Sequence, residues 1–463
     1  MDTRVSSDGL LGRWLGRVVR SSRTVVHRRP LLAIVAGFAG AVLVGTILLD
    51  LPAAGAHGSV GLRAAFFTSV SAVCVTGLTV VDTATAWSGF GQAIVIVLVQ
   101  VGGFGITTFA ALLALLVSRR LGLQTRILAA ASTSAVSLRD LRALLVTVGK
   151  VTLAVEGVVA LVLGVRWWAA YDEPPLRALW LGVFHAVSAY NNAGFALWSD
   201  SLGRFVADPW VVVTVCVATV IGSLGVPVVV ELLRRTRPRR WTLHTKITLL
   251  LTALLVPLGA LFVLVAEWGN PATLGGLSGP GKGLAALLHS VMTRSGGFST
   301  VDTGAMHDGT WFGTDVLMFI GGGSASTAGG IKVTTFAVLA AVIWAELRGD
   351  PDVTFFEWRI SPAVQRQAAV VALVGVAAVV VPTLVIALTS TLRLDQVLFE
   401  VISASATVGL STGITSSLTP WHQVLLAVLM FVGRLGPLTL GAALALREKV
   451  RVVRRPEGRP VIG

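Results

Sequence analysis

From Leu31 to Leu51 the chain runs 21 residues almost without a polar side chain, about 31 Å as a helix, which matches a hydrocarbon layer of roughly 30 Å. Further long apolar runs follow at 88–118, 143–168, 209–233, 244–266, 311–345, 363–389 and 421–446, eight in all. With 54% hydrophobic residues, 13% charged residues and a mean hydropathy of +0.81, the chain reads as an all-α polytopic membrane protein with eight transmembrane helices. The same arithmetic excludes disorder, collagen and a secreted mini-protein. Arg20, Arg23, Arg28 and Arg29 precede the first run as a signal peptide's basic region would, but no small-residue cleavage site closes a short apolar stretch, and more spans follow.

The net charge of +14 would suggest nucleic acid if the basic residues formed one face of a soluble domain. Instead they fall between apolar runs: before the first, at Arg119 to Lys150, at Arg234 to Lys246, at Arg348 to Arg366 and at Arg447 to Arg459. Those groups alternate with segments poor in Lys and Arg, so the positive-inside rule puts both termini and three linkers in the cytoplasm, and no nucleic-acid partner is expected. Cys74 and Cys216 lie in apolar or glycine-bounded stretches, which argues against a disulfide framework and a thiolate metal site.

On the other side of the membrane stand four segments too long for turns and too short to span: 62–82, 178–200, 284–303 and 395–415. Each can enter and leave on one side as a re-entrant helix with a return loop. Aligned on one glycine each, they give Val70-Ser71-Ala72 before Gly77, Val187-Ser188-Ala189 before Gly194 and Ile402-Ser403-Ala404 before Gly409. In the third copy Ser290-Val291 precedes Gly297 and the register is offset by one residue. Phe67, Phe184 and Phe399 stand at a common distance ahead of their glycines, and Leu78-Thr79-Val80-Val81-Asp82-Thr83 echoes Phe298-Ser299-Thr300-Val301-Asp302-Thr303. The agreement argues for four span–re-entrant pore loop–span repeats with pseudo-fourfold symmetry. The repeats cover 31–118, 119–240, 241–348 and 349–447, between cytoplasmic segments 1–30 and 448–463.

Glycine permits backbone conformations that turn carbonyls inward, and irregular backbone at membrane depth is tolerated only where it is buried or lines a wet path. A ring of carbonyl oxygens can replace the hydration shell of a monovalent cation, with each short helix aiming its negative end at the ion. Divalent ions call for carboxylates, and no loop apex carries one. The competing reading is that the glycines only allow close helix packing.

The loops Val75-Thr76-Gly77-Leu78, Asn192-Ala193-Gly194-Phe195, Ser295-Gly296-Gly297-Phe298 and Thr407-Val408-Gly409-Leu410 resemble the four filter loops of the Ktr/Trk/HKT superfamily of potassium transporters, and within it the bacterial KtrB type. The resemblance covers nearly the whole chain. It implies an ion-binding filter at Thr76, Gly77, Ala193, Gly194, Gly296, Gly297, Val408 and Gly409. It also implies K⁺ as the permeating ion, since glycine in all four loops accompanies potassium preference in that family while serine in the first is associated with sodium-permeable plant members. A single span before the first loop is similar to KtrB.

Gly321-Gly322-Gly323-Ser324-Ala325-Ser326-Thr327-Ala328-Gly329-Gly330, followed by Ile331-Lys332, resembles the family's intramembrane gating loop. Each glycine costs roughly 1 kcal/mol against alanine within a helix, so the sixth span is expected to break over 321–330. Gly433-Arg434-Leu435-Gly436-Pro437 resembles the family's arginine motif below the filter. An arginine inside a span is expensive and faces a partner or a wet cavity, so Arg434 is placed beside the gating loop as a barrier to cations, against the alternative of snorkelling to the interface. Lys332 has two readings, a loop stabiliser or a side chain facing cytosolic water.

Asp82 and Asp302 could concentrate cations at an outer mouth, or cap a turn. Glu400 is read as tying the fourth loop's scaffold, and His185 and His289 as hydrogen-bonded structural groups. Gly409-Leu410-Ser411-Thr412-Gly413 matches G-x-S-x-G, but that motif needs a strand-to-helix turn. With no phosphate-binding loop, CxxC or HExxH, the chain is read as no enzyme, without organic cofactor or metal beyond permeating K⁺. The expected function is gated K⁺ uptake, with a secondary active symporter coupling K⁺ to Na⁺ or H⁺ as the alternative. The resemblance further implies a homodimer in the bacterial plasma (inner) membrane and a cytoplasmic RCK-type, KtrA-like regulatory subunit that carries the nucleotide. The basic linkers are available for docking it, or for anionic membrane lipid.

Overall fold

The computed structural model describes residues 30–120, 138–234 and 237–446; the expected terminal segments, apart from Pro30, and most of the basic stretch after Arg119 lie outside them. Within those residues short helices alternate with long ones. The first group is α1 (Pro30–Leu49), α2 (Leu62–Val73) and α3 (Gly89–Arg120). The second is α4 (Leu138–Tyr171), α5 (Pro175–Tyr190), α6 (Pro209–Leu224) and α7 (Val226–Leu233). The third is α8 (Leu243–Glu267), α9 (Gly279–Met292), α10 (Asp308–Phe319) and α11 (Val333–Arg348). A two-residue-strand hairpin, β1 (Thr354–Phe355) against β2 (Trp358–Arg359), leads to α12 (Pro362–Thr389), α13 (Leu394–Ser405) and α14 (Pro420–Leu446).

Among the described residues, four helical stretches are long and apolar enough to cross a membrane unaided: Gly89–Thr108, Val146–Tyr171, Leu243–Glu267 and Pro362–Thr389. The bent pair α6–α7 adds a fifth if its two arms are taken as one broken span. Their outward faces carry exposed Leu153, Leu161, Leu254, Leu261, Leu373 and Leu384, while Ser71, His185, Asn192, Ser295 and Ser403 are buried. Apolar outside and polar inside is the distribution a lipid solvent favours.

The run 209–233, read from its hydropathy as one span, is not one helix. It turns through 102° between α6 and α7. Gly225 sits at φ 88°, a backbone conformation that side chains resist, and Pro227 in the first turn of α7 has no N–H to give the carbonyl four residues back. That carbonyl, on Ser223, instead accepts the N–H of Gly323 at 2.8 Å. The run 311–345 is interrupted too, here within the glycine-rich tract: α10 ends at Phe319 and α11 begins at Val333.

Helices α2, α5, α9 and α13, 12–16 residues long, are the short helices that each run into one of the aligned glycines. Phe67, Phe184 and Phe399 are fully buried anchors on three of them. Under the second, Trp167, His185, Trp198 and Phe205 pack as an aromatic cluster with ring centroids 4.6–5.7 Å apart.

Candidate functional site

The four loops share a backbone pattern that their side chains do not announce. Two residues before each glycine the chain enters the left-handed region, at Val75 (φ 54°), Asn192 (φ 63°), Ser295 (φ 78°) and Thr407 (φ 48°), and the glycines follow at 94°, 71°, 72° and 93°. A β-branched residue with positive φ is costly and survives only where its surroundings enforce it. Here the enforcement is a compact knot of hydrogen bonds. Thr76, Ala193 and Val408 donate their N–H groups to the carbonyls of Ser71, Ser188 and Ser403 at 2.7–2.8 Å, and Gly296 donates to Met292 at 2.9 Å.

The serines six residues ahead of their glycines close the same knots. Ser71 Oγ accepts from Gly77 N–H at 3.0 Å and Ser403 Oγ from Gly409 N–H at 3.1 Å, while Ser188 Oγ donates to the Phe195 carbonyl at 2.8 Å. Ser290 is not their counterpart. Its Oγ donates to Val256 O at 2.7 Å, beside Gly259, as Ser69 Oγ donates to Val42 O at 2.8 Å, beside Gly45. The third loop therefore matches the first through Ser69, and the identity-based pairing with Ser71 is corrected by the helix each hydroxyl reaches.

The loops meet in cyclic order. A Cβ on Gly77 would overlap the Ala193 carbonyl oxygen, one on Gly194 would lie 2.6 Å from Gly297 Cα and 3.0 Å from Gly296 O, one on Gly297 would lie 3.0 Å from Val408 O, and one on Gly409 would overlap Thr76 O. The oxygens so reached belong to Thr76, Ala193, Gly296 and Val408, each preceding its glycine. All four glycines line one cavity of about 650 Å³, whose wall also carries Asp82, Asp200 and Asp302.

Asp82 and Asp302 both cap short turns, accepting from Ala84 N–H and Gly304 N–H at 2.9 Å, and both line the cavity; Asp82 also accepts from Ser199 Oγ across the loops. Asp200 was not singled out in the sequence. Burial opposes its ionisation, but bonds from Arg204 outweigh this and lower its pKa, so it remains a carboxylate at the cavity wall. Glu400 accepts from Thr412 N–H (3.0 Å), Thr415 Oγ1 (2.8 Å) and Ser411 Oγ, tying α13 to its return loop. His185 Nδ1 meets Leu181 O at 2.8 Å and His289 Nε2 meets Thr314 Oγ1 at 3.2 Å. Among the described residues no group of three His, Cys, Asp or Glu is arranged to hold a metal.

Opposite the cavity, the tract Gly321–Gly330 lies against the undersides of the loops. Gly329 N–H donates to Ser295 Oγ at 3.2 Å, Thr327 Oγ1 donates to Tyr190 O at 3.3 Å, and the Asn192 side-chain amide lies 3.3 Å from the Thr327 hydroxyl. Gly329 also approaches the Ala406 carbonyl and the Thr407 hydroxyl so closely that a Cβ would overlap both. Within the tract, Ser326 Oγ donates to Gly323 O at 2.6 Å and accepts from Ala328 N–H at 3.2 Å. Ser324 Oγ pairs with Thr334 Oγ1 at 2.9 Å, and Val226 N–H reaches Ala325 O at 3.3 Å from the bend. The flanks Gly321, Gly322 and Gly330 sit at the two ends, where Gly321 N–H bonds Ile331 O at 2.8 Å and Val333 N–H bonds Gly322 O at 3.1 Å.

Two cations hold consecutive carbonyls of this tract. Arg434, only 3% exposed, donates from Nη1 to Thr327 O, and Lys332 donates from Nζ to Ala328 O at 2.5 Å. Gly433 lets α14 press on the Ser405 carbonyl, which brings Arg434 to that depth. Sequence reasoning passed over another buried acid, Glu156 on α4. A lone acid inside an apolar run is itself a signal for such a site.

The model of the TrkH family, described as a cation transport protein, matches residues 37–449. The chain is 35% identical over 438 residues to Ktr system potassium uptake protein B of Bacillus subtilis (strain 168), covering 95% of this chain and 98% of that protein. It is 36% identical over 433 residues to Ktr system potassium uptake protein B of Vibrio alginolyticus, covering 93% and 94%. The potassium transporter TrkH from Vibrio parahaemolyticus superposes with a TM-score of 0.68 at 19% identity, over 89% of this chain and 84% of that one, which establishes the fold they share.

Proposed function

The chain belongs to the TrkH family of cation transport proteins, and from that membership we propose that it takes potassium ions into a bacterial cell through a gated pore, as the ion-translocating subunit of a Ktr-type system. It is a helical membrane transport protein and not an enzyme. In this reading the four groups of helices are four pore repeats, 31–118, 119–240, 241–348 and 349–447, contributing eight spans around one axis. The carbonyl oxygens of Thr76, Ala193, Gly296 and Val408 strip water from K⁺ at the glycine level, helped by the carboxyl-terminal ends of the four short helices. Asp82 and Asp302 hold cations in the outer cavity, and the tract 321–330 with Lys332 and Arg434 closes the path beneath. The subunit works as a homodimer in the plasma membrane, gated by a cytoplasmic RCK-type partner that binds the nucleotide.

One observation carries the pore reading: the position each glycine leaves empty is occupied by the backbone of the next loop in sequence order, and the fourth closes on the first. Packing glycines scattered among helices would not form a ring. The test is ion flux into vesicles holding the purified protein, with imposed K⁺, Na⁺ and pH gradients. Serine at Gly77, Gly194, Gly297 or Gly409 adds left-handed strain of about 1–2 kcal/mol and displaces a carbonyl, so K⁺ preference over Na⁺ is expected to fall about tenfold. Unchanged selectivity in all four variants removes the filter. Flux that depends on a Na⁺ or pH gradient identifies coupled transport instead.

A further inference from the structure

Glu156 lies inside the long helix α4, within the span Val146–Tyr171, where a carboxylate is expensive and needs a reason. It is 6% exposed and among the described residues has no cationic partner: it heads no ion pair, and its oxygens meet amides. Oε1 accepts from Asn191 Nδ2 at 3.0 Å and Oε2 accepts from Gln100 Nε2 at 3.3 Å, while Asn191 Nδ2 also donates to Gln100 Oε1 at 2.8 Å. Three groups from α3, α4 and the end of α5 thus form a closed triangle.

Asn191 is the residue where α5 stops, three positions before Gly194 and two before the carbonyl of Ala193. The equivalent positions of the other loops carry Cys74, Arg294 and Ala406, so the triangle serves the second loop only. Both neighbours are shaped around it. Gly103 on α3 leaves room for the Asn191 amide, which a Cβ would overlap. One turn before Glu156 on the same face of α4, Thr152 Oγ1 donates to the Tyr190 hydroxyl at 3.1 Å, so α4 grips two successive residues at the root of the loop. The atom placed by that root, Ala193 O, is the one the missing Gly77 side chain would strike; its position and the first loop's are coupled at van der Waals contact.

We infer that Glu156 and Gln100 are positioning residues for ion selectivity: through Asn191 they fix the second loop so that the Ala193 carbonyl stands at the spacing K⁺ requires. Either carboxyl oxygen of Glu156 accepts from an amide, and in a low-dielectric interior the bond to Asn191 resists the thermal displacement that would let the ring shrink around Na⁺. The inference rests on the filter reading of the four loops.

The experiment reads the K⁺/Na⁺ flux ratio separately from total K⁺ flux per reconstituted protein, for Glu156→Leu, Glu156→Gln, Asn191→Leu and the double variant Glu156→Leu/Asn191→Leu, with Gly194→Ser alongside. Glu156→Leu is expected to lower the ratio about tenfold, the scale of one lost buried hydrogen bond. Glu156→Gln, which retains an acceptor for Asn191, is expected to recover most of that loss, a rescue that bulk packing would not give. The double variant is expected to be no worse than either single one. Should Glu156→Leu not reconstitute, Asn191→Leu reads the same contact from the loop side. A ratio unchanged in Asn191→Leu and Glu156→Leu while Gly194→Ser lowers it refutes the clamp and leaves the filter standing. Singles that multiply in the double variant also refute it. A ratio unchanged in every variant, Gly194→Ser included, overturns the filter and the clamp together.

Discussion

Replacing Arg434 with alanine removes the donor that holds the Thr327 carbonyl, and the structure sets the size of the effect. A hydrogen bond from a charged group is worth about 1.5–3 kcal/mol, and each 1.4 kcal/mol is tenfold in an equilibrium, so the open-to-closed ratio of the tract is expected to rise about 10- to 100-fold. The bonds of Lys332 to Ala328 O at 2.5 Å, Gly329 to Ser295 Oγ at 3.2 Å and Gly323 to Ser223 O at 2.8 Å survive the substitution and keep the closed arrangement the starting point from which that rise is counted. Flux should rise with the ratio for as long as the closed form predominates. Tracer K⁺ flux into vesicles, normalised to reconstituted protein, measures it directly. Arg434→Gln keeps a donor without the charge and should fall between parent and alanine, which separates the latch from simple repulsion of cations. Flux in Arg434→Ala equal to or below the parent's, at equal protein, would falsify the gate assignment.

Two further outcomes follow from the loops and the bend. Ser71→Ala and Ser403→Ala leave the Gly77 and Gly409 N–H groups without their acceptors, at about 1–3 kcal/mol each, and are expected to lower both thermal stability in detergent and the K⁺/Na⁺ ratio; Ser290→Ala, whose hydroxyl serves α8, should lower stability alone. An equal effect of all three on selectivity would contradict the register drawn through Ser69. Gly225→Ala brings a Cβ to 2.6 Å from Ser324 O at φ 88°, a strain of about 1–2 kcal/mol borne where the bend meets the tract, so K⁺ flux should rise several-fold; a variant that conducts like its parent would show that the bend does not hold the tract closed.

What a sequence reveals of this fold depends on whether the cause of a feature is local. The alternation of long and short apolar segments is local, and so is the interruption within 321–330, where five glycines fall in ten positions. The bend at Gly225 is not, because one glycine and Pro227 in an apolar run are compatible with a kinked but continuous helix, and the carbonyl that Pro227 frees finds its donor a hundred residues later on Gly323. Ser290 was paired with Ser71 because letters were compared, whereas packing compares what a hydroxyl reaches, and only Val42 with Gly45 and Val256 with Gly259 reveal that the partner is Ser69. Glu156 was visible as a lone acid, yet its meaning lay in Gln100 and Asn191, on two other helices.

The left-handed residues before the glycines carry this furthest. Val75, Asn192, Ser295 and Thr407 have no side-chain chemistry common to all four yet take the same backbone conformation, so the repeat is written in the main chain and in the glycines that allow it, not in the residues that support it. Each loop is then held by a different set: the first by Ser71, the second by Ser188 with Asn191 and Glu156, the third by Ser295 reaching across to Thr407 O, the fourth by Ser403 with Glu400. A ring of four near-equal backbones on four unequal supports makes the glycine substitutions similar in effect and the support substitutions distinct. In the proposed filter, substitutions at the four supports are therefore expected to alter selectivity by unequal amounts, each passing on to the next loop through the backbone contacts at the glycines.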